Sequence, residues 1–114
     1  MKVVENSIIP FKGFLAINLF GVVFVRREAW QKKDVWHKRK CLLHESIHTA
    51  QMKELLYVFF YILYFFEWLY WLLVRPDAAY RSISFEVEAY SHQGDEDYLQ
   101  NRRMFAQWRK IEQK

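Results

Sequence analysis

Apolar residues crowd the stretch 8–25, thin out over 26–40, return at helical spacing, and then run almost unbroken from Leu55 to Val74. The first stretch is β-branched and aromatic (Ile8, Ile9, Phe11, Phe14, Ile17, Val22, Val23, Val25), punctuated by Gly13 and Gly21, which predicts two short strands. They pair as a β-hairpin over 8–25 with the turn between Asn18 and Gly21, and Pro10 belongs at the start or edge of the first strand. Residues 26–40 carry Arg26, Arg27, Lys32, Lys33, Lys38, Arg39 and Lys40. That run reads as a solvated connection, or more sharply as a membrane-surface patch, leading into a helix that Asp34 can cap. No glycine occurs between Gly21 and Gly94 and no proline between Pro10 and Pro76, so helix is expected throughout. Arg75-Pro76-Asp77 breaks it, a further helix spans about 82–93 before Gly94, and a last one covers 95–112. The fold class expected is α+β, predominantly helical, as a single domain over 1–114.

On the long helix, His37, His44, His48, Gln51 and Leu55 share one stripe. Within it stands His44-Glu45-Ser46-Ile47-His48. Two imidazoles four residues apart on a helix can aim a ring nitrogen at one ion, and a Glu between them can take a proton from a water activated there. The bland alternative is a polar stripe that happens to hold these residues. His37 lies two turns before His44, about 10 Å along the axis, and is read as a surface histidine. Gln51 is either a hydrogen-bonding support for the site or an ordinary polar residue. Catalytic zinc commonly takes a third protein ligand, and Glu86 and Glu88 stand out because both precede the small Ala89. They point about 200° apart on a helix, so one at most faces the ion.

HExxH followed by a separate helix bearing Glu86-Val87-Glu88-Ala89 resembles the gluzincin group of metallopeptidases, whose second motif reads E-x-x-A-D. The resemblance implies a minimal zincin-like domain with zinc held by His44, His48 and Glu86 and with Glu45 as general base. It implies hydrolysis of a peptide or protein substrate, and substrate adding as a strand to an edge of the N-terminal sheet. Tyr90 stands where the family has its Asp, removing a hydrogen-bonding support expected there.

The third ligand changes how the block 55–74 is read. Its twenty residues hold one charge, Glu67, and meet the length for a membrane span. A span would leave Glu86 on the wrong side of the bilayer from His44 and His48. A straight helix from His48 to Val74 would run about 39 Å, too far for the short return. The expectation is therefore a helical hairpin over 34–93, reversing near Phe65 to Trp68, with the acid-bearing segment antiparallel to the histidine helix. Surplus aromatic surface at 55–74 would meet a homodimer partner or dip into one leaflet.

Composition adds modest limits. Aromatic residues are 19% of the chain, and most sit in that one block. A net charge of +4 without a basic stripe or recognition motif argues against nucleic acid. A single cysteine, Cys41, excludes an internal disulfide. No signal peptide is recognised, so a cytoplasmic or membrane-peripheral location is expected. A non-catalytic, zinc-stabilised or membrane-peripheral interaction protein is the alternative to an enzyme.

Overall fold

The computed structural model describes residues 2–9 and 15–108. The described residues are mostly helical, with one three-stranded sheet. Strands β2 (Ala16–Leu19) and β3 (Val22–Arg26) form the antiparallel hairpin, turning at Phe20 and Gly21. Both turn residues have positive φ (54° and 90°), the geometry a two-residue hairpin favours. Phe20 is not a residue that enters this region freely; its N–H donates to the Tyr61 hydroxyl at 2.9 Å.

A strand not expected from the pattern, β1 (Lys2–Asn6), pairs parallel with β3, giving the order β1-β3-β2. The expected first strand does not begin at Ile8. There the Asn6 side-chain oxygen accepts from the N–H groups of Ile8 and Ile9, an Asx turn that ends β1. Pro10 lies outside the described residues. Val23 and Val25 on the central strand are fully buried, packed with Trp30 of the short helix α1 (Arg27–Gln31) and with Cys41 and Leu42.

Helix α2 (Val35–Glu54) starts where Asp34 accepts from the His37 N–H at 2.8 Å. Its first half meets the sheet cluster through Cys41 and Leu42. Farther along, Met52 joins an aromatic cluster with Phe60, Ile83 and Phe85. The polar stripe His44-His48-Gln51 lies between these two apolar regions.

The reversal expected at Phe65 to Trp68 does not occur. Helix α3 (Val58–Val74) is unbroken, and the chain turns instead at Leu55–Tyr57, where α2 and α3 meet at 110°. Leu56 and Tyr57 take positive φ values of 56° and 63°, uncommon for such side chains. Nothing in Leu-Leu-Tyr is a breaker. One local bond and two remote contacts accompany the bend: the Tyr57 N–H donates to Met52 O at 2.7 Å, Tyr61 bonds to the hairpin, and Phe60 enters the core. The lone charge of α3 is anchored too, because Glu67 accepts from the N–H of Ser84 at 2.7 Å. That bond fixes the return.

The chain comes back through a 3-10 turn (Pro76–Ala78), α4 (Ala79–Ser82) and α5 (Ser84–His92). Gln51 meets Phe85 while His44 meets Gln93, so α5 runs antiparallel to α2. The continuous helix expected over 95–112 is replaced, among the described residues, by α6 (Tyr98–Asn101) and a 3-10 turn (Ala106–Trp108). Arg102 is drawn into the interior by Glu54 and Glu88, and its extended backbone ends α6. No single helix among the described residues is long and apolar enough to cross a membrane.

Candidate metal centre

His44 and His48 project from one face of α2, and Glu86 from the first turn of α5 lies against both. Each imidazole places Nε2 3.1 Å from the same Glu86 oxygen, Oε1. All three side chains are buried, and the three ligand atoms fall within 4.8 Å of one another. This His-His-Glu group could hold a metal ion.

The surroundings orient every ligand. His44 Nδ1 lies 2.8 Å from Gln93 Oε1, and His48 Nδ1 lies 2.8 Å from Gln51 Oε1. Metal-binding histidines ordinarily hold their second ring nitrogen in this way. The other oxygen of Glu86, Oε2, accepts from the Tyr64 hydroxyl at 2.6 Å. Burial, reinforced by the charge of Glu86, pushes the phenols of Tyr64 and Tyr80 far above their usual range, so both stay neutral.

Electrostatics within the group are those of a tight ion pair. Burial alone would lower the His48 pKa, but the hydrogen bond and charge of Glu86 overcome it and push it up to about 9. Burial would raise Glu86; the two histidines outweigh that and hold it well below the usual carboxylate range. His48 therefore donates from both ring nitrogens, one proton to Gln51 and one to Glu86. The second proton occupies the direction from which a cation would be bound. Two imidazole nitrogens and a carboxylate oxygen that already converge, with their outer sides hydrogen-bonded, are a donor set of the kind that could hold a metal ion.

Glu45 borders a cavity of about 560 Å³ that also exposes His44, His48 and Glu86. Burial first, and the charge of Glu86 after it, raise the Glu45 pKa, while the two histidines pull the other way. All four residues of β2, an edge strand, line the same cavity. Asn18 ties that strand to α2, its amide donating to Glu45 O at 2.8 Å and to Thr49 Oγ1 at 2.9 Å. Apart from Met52, the remaining wall is aromatic, from Phe60, Tyr61, Tyr64, Tyr80 and Tyr90.

Of the residues singled out in the sequence, His44, His48 and Glu86 come together and Glu45 stands beside them. Glu88 turns to the opposite side of α5, where Arg102, Tyr98 and Gln51 bind it. Gln51 is a support for His48 and not an ordinary polar residue. His37 is exposed and bonded to Asp34. Tyr90 takes no hydrogen-bonding role toward the histidines; its ring packs edge-on against His44 at 4.5 Å, and its hydroxyl meets that of Tyr80 at 3.2 Å. Sequence reasoning missed Gln93 and Tyr64. Gln93 lies two helical turns after Glu86, a spacing that signals a shared face. Tyr64 had no such signal, because its reach to Glu86 depends on the bend at Leu55–Tyr57.

The chain matches no protein-family profile, no curated protein and no solved structure.

Proposed function

We propose that this chain is a compact zinc-dependent peptide hydrolase, similar in its two motifs to the gluzincins. The observation that carries the reading is the convergence of His44, His48 and Glu86 on one point, with Glu45 beside them at an accessible cavity. Zinc, when bound by these three residues, would supply Lewis acidity, polarising a carbonyl and acidifying water. Glu45 is the general base. Its raised pKa suits it to take a proton from the attacking water and return it to the leaving amine. Tyr64 holds the Glu86 carboxylate in place, and Gln51 and Gln93 hold the imidazoles. An extended peptide would add along β2, with its side chains against the aromatic wall.

The test is Glu45→Gln. The variant is expected to keep zinc at the wild-type level and to lose peptide hydrolysis by about 10²–10⁴-fold, the range of a general base. Wild-type turnover in a zinc-loaded Glu45→Gln protein overturns the mechanism.

A second reading, a zinc-stabilised interaction protein, is favoured by one observation: buried polar groups, Gln51, Glu86, Glu88 and the two histidines, join α2 to α5 through hydrogen bonds. In that case the same ligands tie the helices together and removal of the metal unfolds the chain. A metal-free form that stays folded counts against it.

A further inference from the structure

Behind the His-His-Glu group lies a second buried cluster, built around Arg102 from the C-terminal segment. Its guanidinium donates to both oxygens of Glu88, through Nε to Oε2 and Nη2 to Oε1, and to both oxygens of Glu54, at 2.7 and 3.3 Å. Nη2 also reaches Gln107 Oε1 at 2.9 Å. The Arg102 and Glu88 side chains are each 4% exposed. The Glu88 carboxylate receives two further donors, the Tyr98 hydroxyl at 2.6 Å and Gln51 Nε2 at 2.8 Å. With four N–H or O–H groups aimed at it, Glu88 can act only as an acceptor.

That restriction passes along the chain of bonds. The Gln51 amide faces three partners: Glu88 Oε1, the Phe85 carbonyl at 3.0 Å, and His48 Nδ1. The first two cannot donate, so both amide protons of Gln51 must point to them. Only its oxygen is left for His48, and that oxygen can only accept. His48 must therefore carry a proton on Nδ1, which leaves Nε2 as the nitrogen able to ligate.

We propose that Arg102 and Glu88 are positioning residues for the metal site, fixing through Gln51 the tautomer and ring direction in which His48 binds the ion. The proposal rests on the metal-binding reading of His44, His48 and Glu86. The segment 98–108, outside both sequence motifs, thereby completes the centre.

The experiment compares the full-length wild type with Glu88→Met and Arg102→Lys. Zinc affinity is read by chelator competition. The His48 ring nitrogens are read by long-range ¹H–¹⁵N correlation on the zinc-loaded proteins, and the folded state of each metal-free protein by urea unfolding. In the wild type His48 should be bound through Nε2 with a protonated Nδ1. Glu88→Met frees the Gln51 amide to flip and should weaken zinc binding by about 10–100-fold, with altered His48 nitrogen shifts. Arg102→Lys keeps the charge but cannot span both carboxylates, and should give a smaller loss in the same direction; it also serves should Glu88→Met fail to fold. A purely structural cluster would lower the urea midpoint and leave zinc affinity and the His48 shifts of the folded protein unchanged, and that result overturns the proposal. A wild type that binds no zinc overturns the metal reading and this proposal with it. Zinc binding by the wild type and equally by both folded variants overturns this proposal alone.

Discussion

Helices α3 and α5 treat their side chains in opposite ways. Helix α5 buries two carboxylates, Glu86 and Glu88, at 4% and 3% exposure, whereas α3, the most apolar segment, leaves Phe66 60% and Leu73 87% exposed. Hydropathy alone would have reversed the two. Burial around α5 is supported bond by bond, since buried charge is tolerable only when every lone pair finds a donor. Glu86 has His44, His48 and Tyr64; Glu88 has Gln51, Tyr98 and Arg102. The outward face of α3 has the converse character. Phe59, Ile62, Phe66, Leu69 and Leu73 form an uncharged stripe, because Glu67, its only charge, is turned toward Ser84. A polar centre thus sits between the two apolar clusters, while much of the apolar surface of α3 faces outward.

Replacing the acid at the centre should have the largest effect on this contrast. Glu86→Ala leaves two buried imidazoles and the Tyr64 hydroxyl without their acceptor. It should destabilise the metal-free protein by about 3–5 kcal/mol in urea unfolding, the scale for breaking a buried pair. A loss below about 0.5 kcal/mol would mean that the α5 carboxylate is not organising the interior.

Adding metal should sharpen the contrast by nearly as much. With free zinc at a thousand times its dissociation constant, the folded state should gain about 4 kcal/mol, read as a rise in Tm that chelator reverses. A Tm indifferent to zinc would show that the centre is held by its hydrogen bonds alone.

The pH response of the metal-free form follows from the same pair. His48 is raised to about 9 in the folded state, so its contribution is full below the ordinary histidine value and is lost as pH rises through about 9. Glu86 is lowered, so its contribution is full above the ordinary carboxylate value and is lost as pH falls beneath it. The pair therefore stabilises most between about pH 4.5 and 6.5. Urea midpoints measured across pH should fall on both sides of that window, and a midpoint that climbs steadily from pH 6.5 to 9 would contradict it.

The smallest effect is expected on α3. Phe66→Lys and Leu73→Lys should each change stability by no more than about 0.5 kcal/mol, as for exposed positions elsewhere. Both should reduce self-association or adsorption to vesicles, measured by sedimentation and flotation. A large loss of stability instead would show that this face is covered within the folded chain.

Much of the centre was legible in the sequence because helical spacing is a strong code. His44 and His48 stand four positions apart and Gln51 three positions farther on, which puts all three on one helical stripe. Glu86 emerged from the similarity of Glu86-Val87-Glu88-Ala89 to a second zinc-binding motif, while spacing alone left Glu88 as its rival. Elements set by distant contacts were not legible. Leu56 and Tyr57 carry no turn signal, and the long-range contacts that accompany their positive φ values are made by Tyr61 to the hairpin and by Phe60 in the aromatic core. The C-terminal helix was expected from its apolar spacing, but burying Arg102 between Glu54 and Glu88 outweighs local helix preference. Strand β1 depends on a parallel partner, β3, twenty residues away, and its five residues carry too short a pattern to announce it.

Elemental analysis of freshly purified wild type beside Glu86→Ala tests the central claim most directly. One zinc per wild-type chain, with loss of that zinc in Glu86→Ala, is the expected result. Wild-type protein without stoichiometric zinc, or equal zinc in the two proteins, would contradict it.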